Sequence, residues 1–335
     1  MTDPRPSSDA RARSRRGGSA PPSGEGPAAG TPGETGAAPL RVVAGRAEPL
    51  GAPDHPARWS RPRARTLVVA SGKGGVGKSN LCANLAVALG QRGARVVLVD
   101  ADFAQSNLDL LLGLHPRFDL RHLFSGERTL EEIAVAGPRG VRLVPGAPDV
   151  PELAELDDYR REVLLRALGT LESGTDLVIM DTASRVSRDV TALCLAADDV
   201  VVMTTPEMPA FADAYGLVKL LHAQGLRHPP HLVVSQATTA EEAEETADRI
   251  RLVARRFLRV DLDSWGVIPE DPAIPGAVRR QEPVVAAFPQ SPAAEAYRAL
   301  AERLWPDPPA DPEEESARND RALTGTRGDR QRLGA

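Results

Sequence analysis

Short runs of consecutive apolar residues recur through the middle of the chain. The run from Val96 to Asp100 is an example, because it carries valine and leucine on both faces and ends in a carboxylate. A run without a polar face indicates a strand that is buried on both sides of a parallel sheet. On this pattern we predict strands near residues 66–70, 96–100, 141–145, 176–181, 200–205, 232–236 and 263–267.

The intervals between these runs place apolar residues three or four positions apart, which is the spacing of one helical face. This alternation of strands and helices predicts an α/β fold, a doubly wound, mostly parallel sheet with helices on both faces. Residues 65–305 are long enough to form one such domain with a sizeable core. We predict helices in these intervals, notably at 79–90, 152–172, 211–223, 241–258 and 291–304.

The two ends of the chain differ from its middle in composition. Residues 1–64 are rich in Pro, Gly, Ala, Ser and Arg, and we predict a disordered basic arm because they can bury little apolar surface. A short ordered patch is expected near residues 40–43. Residues 306–335 are predicted to be a disordered acidic tail. A solvated arm is the leading interpretation, and contacts with nucleic acid, anionic lipid or an acidic partner are alternatives.

The composition places few limits on partners but several on location. The chain has 335 residues and a net charge of −5, which excludes no class of partner. It contains no run of about 18 apolar residues and no apolar secretory signal near its start. Cys82 and Cys194 fall among apolar residues in predicted helices, which indicates reduced core thiols. We therefore expect a cytoplasmic protein.

A glycine-rich segment of the type G-x-x-x-x-G-K-S runs from Gly72 to Ser79, between the first predicted strand and the first predicted helix. This context indicates a phosphate-binding loop, since glycines let backbone N–H groups surround phosphate oxygens at a helix N-terminus. Lys78 is expected to reach the β- and γ-phosphates, and the Ser79 hydroxyl to bind Mg²⁺. We expect ATP and Mg²⁺ as ligands. The predicted nucleotide-binding residues of the loop are Gly74, Gly75, Val76, Gly77, Lys78, Ser79 and Asn80.

Carboxylates stand at the ends of two further predicted strands. Asp100 and Asp102 end the run after residue 96, and Asp181 ends the apolar run that begins at Leu177. The carboxyl ends of parallel strands meet at one edge of a doubly wound sheet, which is where such folds bind ligands. These carboxylates are therefore expected close to the phosphate loop.

The loop Lys73-Gly-Gly-Val-Gly-Lys-Ser79, with its additional lysine, resembles the deviant phosphate loop of the MinD/ParA family of P-loop ATPases. The resemblance implies an ATP-dependent homodimer in which Lys73 reaches the nucleotide of the partner subunit. It also implies a catalytic set of Lys73, Lys78 and Asp102, with Asp102 positioning the attacking water.

Other segments carry the same resemblance. Asp100-x-Asp102 followed by Asn107 is similar to the family's switch I, and Thr204-Thr-Pro206-Glu207 to a later family segment. By resemblance, Asn107 and Pro206 belong to the nucleotide site. Ser79, Asp100 and Asp181 are the expected metal residues, with Asp181 acting through water.

The chain departs from the family pattern in two places. Ser184-Arg185-Val186 stands where the family has a small, glycine-containing run. Arg185 either supplies positive charge to the triphosphate or impairs the sensing of ATP, and both interpretations stay open. Ser235 stands where the family commonly has an asparagine that recognises adenine, so Ser235 keeps a hydroxyl but lacks the amide.

The last third of the domain resembles the FlhG (FleN) subgroup, whose members control the number and placement of flagella. The similar segments include Trp265–Asp271 and residues 277–284 and 289–297. The subgroup's N-terminal D-Q-A helix is missing, and the tail after Trp305 has prolines and acids instead of an amphipathic basic helix. Direct membrane insertion is therefore not expected, and a protein partner could bind the 1–64 arm.

A basic stretch, Arg249–Arg259, lies in the second half of the predicted helix 241–258. Ile250, Val253, Ala254 and Phe257 are expected on its apolar face. The leading interpretation is a solvated face whose arginines complement the helix dipole. The alternative is non-specific binding of DNA phosphates, which would weaken steeply with salt.

These features favour an ATP-dependent dimerising switch that hydrolyses ATP slowly and regulates the placement or number of a cell-surface machine such as flagella. A partner would recruit it to the pole or the inner membrane surface. The alternatives are a ParA-type DNA- or cargo-partition ATPase and a weakly active pseudo-ATPase scaffold. An iron–sulphur carrier is disfavoured because the chain has no C-x-x-C pair, and no motif favours a metabolic ligase.

Overall fold

A single eight-stranded sheet forms the centre of the protein in the computed structural model, which describes residues 64–305 except 149, 151, 152, 154, 172 and 173. The strand order is β3-β4-β2-β5-β1-β6-β7-β8. Every neighbouring pair is parallel except β3 and β4, which are antiparallel. The strands are β1 (Arg65–Ala70), β2 (Val96–Ala101), β3 (Val135–Ala136), β4 (Arg142–Val144), β5 (Leu177–Thr182), β6 (Asp199–Thr204), β7 (His231–Ala237) and β8 (Asp263–Pro269).

Helices cover both faces of the sheet, which explains why the strands are apolar throughout. On one face the core contains side chains of α1, α2 and α9–α11, and on the other side chains of α3–α8. Within β1, for example, Leu67 and Val69 point to the first core, and Val68 and Ala70 to the second. The helices are α1 (Lys78–Gln91), α2 (Leu108–Leu112), α3 (Leu120–Phe124), α4 (Leu130–Ile133), α5 (Asp158–Thr170), α6 (Arg188–Ala196), α7 (Met208–Ala223), α8 (Ala240–Leu258), α9 (Ala273–Arg280), α10 (Val284–Ala287) and α11 (Pro292–Leu304).

The predicted fold class is confirmed, and each predicted strand overlaps an observed strand. The predicted helix 152–172 is too long at its start. Helix α5 begins at Asp158, because the Asp157 carboxylate accepts a hydrogen bond from the Arg160 backbone N–H (2.7 Å) and caps the helix there. The two-residue strand β3 and the short helices α2–α4, α9 and α10 were not predicted, because segments of two to eight residues carry too little periodicity.

Residues 1–63 and 306–335, which make up the predicted tail and all of the predicted arm except Ala64, lie outside the described residues, as does the patch near residues 40–43. Ala64 is an exception, because it is buried in the core and belongs to the domain rather than to the arm. Both cysteines are buried and free, as predicted. No helix in the part of the chain that the structure describes has the length and apolar character needed to span a bilayer.

The order β2-β5-β1 brings the predicted chemistry to one edge of the sheet. Asp100 of β2 lies directly opposite Asp181 of β5, and Val69 of β1 lies opposite Asp181 on the other side. The loop that follows β1 therefore begins beside both carboxylates. Strand β6 flanks β1 on its other side, so its carboxyl end borders the same loop.

Candidate nucleotide site

The loop after β1 is shaped by glycines and packed tightly against α7. Gly75 and Gly77 have left-handed φ values of 79° and 95°, a conformation that other residues adopt at a cost. Gly72 lies so close to α7 that a Cβ atom there would be 2.6 Å from Cβ of Asp213. Helix α1 then begins at Lys78, which leaves its first backbone N–H groups facing the loop. This is the arrangement that binds phosphate groups.

Lys78 is buried at the start of α1, with 5% of its surface exposed. Burial lowers the pKa of its amine, and the negative charges of Asp181 and Asp102 oppose that shift. Its Nζ donates a hydrogen bond to the Ser184 hydroxyl. The amine is therefore aimed into the site, between the phosphate loop and the segment that follows β5.

Asp181 is the most unusual group of the site, because it is buried and both its carboxylate oxygens lack a hydrogen-bond partner of normal geometry among the described residues. Burial, together with the nearby negative charge of Asp100, raises its pKa to about 8, and the Ser79 hydroxyl and the Lys78 amine limit the rise. A buried carboxyl without partners is costly unless a ligand completes it. It is the kind of oxygen donor that Mg²⁺ binds.

The other donors also fit Mg²⁺. No group of three or more His, Cys, Asp or Glu side chains forms a self-contained metal site within the described ranges. Mg²⁺ is commonly held by one or two carboxylates together with substrate phosphates, rather than by an all-protein cage. Asp181 and the Ser79 hydroxyl beside the phosphate loop are a donor set of that kind.

Asp100 is also buried, but its carboxylate is fully engaged. It accepts hydrogen bonds from the Ser106 hydroxyl (2.8 Å) and from the backbone N–H groups of Asn107 (3.0 Å), Leu108 (3.1 Å) and Asp102 (3.2 Å). Burial raises its pKa to about 6, and these hydrogen bonds limit the rise. The carboxylate therefore organises the loop between β2 and α2, and its place near a metal stays a prediction.

Asp102 and Asn107 lie on that loop. The Asp102 carboxylate accepts a hydrogen bond from the backbone N–H of Gln105 (3.0 Å), and its charge acts on Lys78. The side-chain carbonyl oxygen of Asn107 is buried and has no hydrogen-bond partner in the described part of the chain. Asp102 thus lies near Lys78 with acceptor capacity left over, and the place of Asn107 in the nucleotide site stays a prediction.

Lys73 lies at the open side of the phosphate loop, where its Nζ pairs with the carboxylate of Glu207. Glu207 immediately precedes α7 and is largely exposed. In the single chain, therefore, the additional lysine is held by an acid of its own subunit. Its predicted contact with a partner subunit is not tested by this arrangement.

A cavity of about 470 Å³ opens next to the loop. Its walls include the predicted residues Gly75, Val76, Gly77, Asn80 and Ser235. The sequence analysis did not assign the remaining walls to the site; they include Met203, Gln236, Ile268, Glu270, Asp271, Ile274, Pro275 and Tyr297. The signal that could have identified several of them is the acidic pair Glu270-Asp271 directly after strand β8, because Asp100 and Asp181 also lie at strand ends.

Ser235 lies in the cavity wall, but its hydroxyl is already used. It hydrogen bonds to the carbonyl oxygens of Val76 (2.6 Å) and Thr204 (3.1 Å) and thereby ties β7 to the phosphate loop. With its single proton directed at these carbonyls, it has no donor left for a base. Pro206, by contrast, borders a separate surface cleft together with residues of α8.

The two residues that depart from the family pattern after β5, Ser184 and Arg185, make different contacts. The Ser184 hydroxyl accepts the hydrogen bond from Lys78, so it stands at the predicted phosphate position. Arg185 is exposed and pairs with Glu155 (3.3 Å). The positive charge of Arg185 is therefore paired with an acid of the same chain.

The basic stretch of α8 is largely neutralised by acids of its own surroundings. Arg249 pairs with Glu245 (2.9 Å), and Arg251 pairs with Asp248 (2.9 Å). Arg255 likewise pairs with Asp261, at 2.5 Å. Of the predicted apolar face, Ile250 and Ala254 are buried, whereas 67% of the surface of Phe257 is exposed and the Arg256 guanidinium lies over its ring.

Comparison with known proteins places these features in a family. A family model described as the CobQ/CobB/MinD/ParA nucleotide binding domain matches residues 67–284. Antiactivator FleN of Pseudomonas aeruginosa is 35% identical over 246 residues, which cover 73% of this chain and 88% of that protein. The flagellum site-determining protein YlxH of Helicobacter pylori is 30% identical over 218 residues, covering 64% and 73% respectively.

Solved structures agree with this similarity. The septum site-determining protein MinD of Pyrococcus horikoshii OT3, complexed with Mg-ADP, superposes with a TM-score of 0.63 and 27% sequence identity. The match covers 72% of this chain and 96% of that one.

Proposed function

The chain belongs to the CobQ/CobB/MinD/ParA family of nucleotide-binding domains, and we propose that it is an ATP-dependent dimerising switch that hydrolyses ATP slowly. The observation that carries the proposal is the buried Asp181 carboxyl, which lacks partners and lies close to the buried amine of Lys78. A polyphosphate with a bound divalent cation offers the metal ion to the Asp181 carboxylate and negative charge to the Lys78 amine, and Mg-ATP is such a ligand. The Mg-ADP complex of the related MinD supports this choice.

Binding is assigned to the loop and its neighbours. The backbone N–H groups from Gly74 to Ser79 surround the phosphates, and Lys78 exchanges its hydrogen bond with Ser184 for a phosphate oxygen. Asp181 and Ser79 hold Mg²⁺, which supplies charge neutralisation of the phosphates when bound. Since the Asp181 carboxyl has a pKa of about 8, it gives up a proton on binding the metal near neutral pH.

Hydrolysis is assigned to Asp102, whose carboxylate keeps acceptor capacity beyond its hydrogen bond from Gln105. It accepts a hydrogen bond from a water molecule and directs the water oxygen at the γ-phosphorus. The bond from phosphorus to the ADP oxygen breaks as the new bond forms, which yields ADP and inorganic phosphate.

Dimerisation is assigned to Lys73. For this lysine to reach a partner's triphosphate, it has to leave Glu207 of its own subunit. The triphosphate carries more negative charge than one exposed carboxylate, so binding of nucleotide by the partner favours the exchange. The dimer would persist until hydrolysis removes that charge.

The output we propose is control of the number or placement of a surface machine such as flagella. The support is similarity to FleN and to a flagellum site-determining protein. A protein partner would recognise the ATP-bound dimer and recruit it to the pole or the inner membrane surface. Because three of the four arginines of α8 are paired with neighbouring acids, duplex DNA is not the partner that we propose.

The test is the oligomeric state of the Asp102→Ala variant with ATP and Mg²⁺, measured by size-exclusion chromatography with light scattering. We expect a lasting dimer, because binding is kept and hydrolysis is lost. The wild type should return to monomer as ATP is consumed, and Lys78→Ala should stay monomeric. If Asp102→Ala is only monomeric, the switch model is wrong. If the wild type dimerises but releases no phosphate above the Lys78→Ala background, the chain is a scaffold without turnover.

A further inference from the structure

Gln236 occupies an irregular position at the end of β7. Between Ser235 and Ala237 the register of β7 against β8 shifts, so that Gln236 is the extra residue of a β-bulge. Its φ is 57°, a left-handed conformation that glycine normally supplies in such bulges. A residue with a side chain pays a conformational cost there, and a bulge at a site commonly redirects a side chain.

The redirected side chain faces the nucleotide cavity. Gln236 is one of the cavity walls, and its Nε2 donates a hydrogen bond to the carbonyl oxygen of Gly75 (2.6 Å). Gly75 is one of the two left-handed glycines of the phosphate loop. The carboxamide is therefore attached to the loop at one end, although the side chain is exposed to the open cavity.

This attachment fixes which way the carboxamide points. A backbone carbonyl oxygen can only accept a hydrogen bond, and in a carboxamide only the nitrogen can donate one, so the amide nitrogen has to face Gly75 and the oxygen Oε1 has to lie on the other side. What remains for a ligand is one acceptor, Oε1, and the second N–H of Nε2. A free glutamine could rotate its amide to suit either pattern, but rotation here would break the bond to Gly75.

The remaining pair of groups matches adenine and not guanine. A glutamine amide binds adenine by accepting from the N6 amine and donating to a neighbouring ring nitrogen. Guanine presents an oxygen acceptor where adenine presents the amine, and that oxygen would face Oε1. Ser235 does not provide this selection, because its hydroxyl is directed at Val76 and Thr204.

The cavity is suited to a purine base next to this amide. Its volume of about 470 Å³ lies within the range of small-molecule sites. Met203, Ile268, Ile274 and Pro275 supply apolar walls, against which a flat base can pack. Gly75 and Gly77 in the same wall place the phosphate loop beside it.

We propose that Gln236 selects adenine over guanine nucleotides, with its amide oriented by the carbonyl of Gly75. The proposal rests on the proposed function, because it requires a nucleotide in this cavity.

The experiment compares the affinities of wild type, Gln236→Asn and Gln281→Asn for ATP and GTP with Mg²⁺, by displacement of a fluorescent ATP analogue. Asparagine tolerates the left-handed conformation but is one methylene shorter, so it loses the reach and keeps the backbone. Gln281 is the matched control: it is an exposed glutamine with a φ of 54° at the end of α9 and is not a wall of the cavity. Inorganic tripolyphosphate is titrated as well, because its affinity measures phosphate binding by the loop in the absence of a base.

We expect Gln236→Asn to lower the ratio of ATP to GTP affinity about tenfold, with tripolyphosphate affinity unchanged. Gln281→Asn should match the wild type. An unchanged ratio overturns the proposal while leaving ATP binding intact. An equal loss of ATP, GTP and tripolyphosphate affinity also overturns it, because Gln236 would then act only by positioning the loop. If the wild type binds no nucleotide at all, the proposed function itself fails.

Discussion

Replacing Asp181 by asparagine should stabilise the nucleotide-free protein relative to the wild type, by an amount that grows as the pH rises. Burial raises the pKa of the folded carboxyl to about 8 from an ordinary value of 3.8. Between these two values the folded state holds a proton that the unfolded state has released, so the folded state loses stability as the pH increases. Asparagine has no such titration.

The size of the effect follows from the width of that window. From pH 3.8 to pH 7 is about three pH units, and each unit corresponds to about 1.4 kcal/mol, so Asp181 destabilises the nucleotide-free fold by up to about 4 kcal/mol at pH 7. The asparagine amide will also lack partners, at a cost of about 1–3 kcal/mol. That cost is the same at every pH, so it does not change how the difference in unfolding free energy between variant and wild type varies with pH.

The assay is urea unfolding of wild type and Asp181→Asn, without nucleotide, at several pH values from 4.5 to 8. We expect the difference in unfolding free energy to shift in favour of asparagine across this range. Asp176→Asn is the matched control: hydrogen bonds from Arg95 lower the pKa of Asp176 below its ordinary value, so Asp176 titrates below this pH range and its difference in unfolding free energy should stay flat. A flat difference for Asp181→Asn would refute the argument that this carboxyl is buried without compensation.

The same substitution should remove a response to ligand. Mg-ATP stabilises whichever protein binds it, in proportion to the logarithm of its concentration above Kd. We expect this increase in the wild type and its loss in Asp181→Asn, whose amide is a poor substitute for a metal-binding carboxylate. A variant that is more stable alone but gains nothing from Mg-ATP would show that the site trades stability for binding.

Two further substitutions test the loop and its neighbours. Glu207→Gln frees Lys73 from its own subunit. A symmetric dimer breaks two of these half-exposed pairs, each worth at most about 1 kcal/mol, so ATP-dependent dimers should form at up to about thirtyfold lower protein concentration in sedimentation experiments. Weaker dimers would contradict the intrachain competition. Gly72→Ala forces a methyl group against Asp213, and we expect a loss of about 1–3 kcal/mol in thermal unfolding. An unchanged melting temperature would show that α7 can move away from the loop.

The sequence predicted the elements that carry strong local signals. The strands could be predicted because both faces of the sheet are covered, so each strand is a continuous apolar run. The loop could be predicted because binding phosphate through the backbone requires glycines at fixed spacing, as at Gly75 and Gly77. Strand order and the pairing of Asp100 with Asp181 depend on contacts between residues far apart in the chain, which periodicity does not record.

The dependence on contacts between residues far apart in the chain also explains which residues around the cavity were not predicted. Gln236 looks like an ordinary strand residue until the bulge and the carbonyl of Gly75 are seen together. Ser235 was predicted to face the base from its position alone, but its hydroxyl is directed at two backbone carbonyls. The intrachain pair of Lys73 and Glu207 joins residues 134 positions apart, and neither neighbourhood indicates the other.

The central position of β1 in the sheet determines when the nucleotide site can form during synthesis on the ribosome. Strand β1 is made early, yet its two sheet neighbours β5 and β6 follow more than a hundred residues later; the Thr182 hydroxyl, for example, bonds to Val69 across 113 positions. During synthesis the phosphate loop therefore emerges long before the strands that shape its surroundings. Contacts over such distances form slowly. A nascent chain should thus become able to capture ATP only after β7 has left the exit tunnel, so that nucleotide capture depends on strands made long after the loop itself.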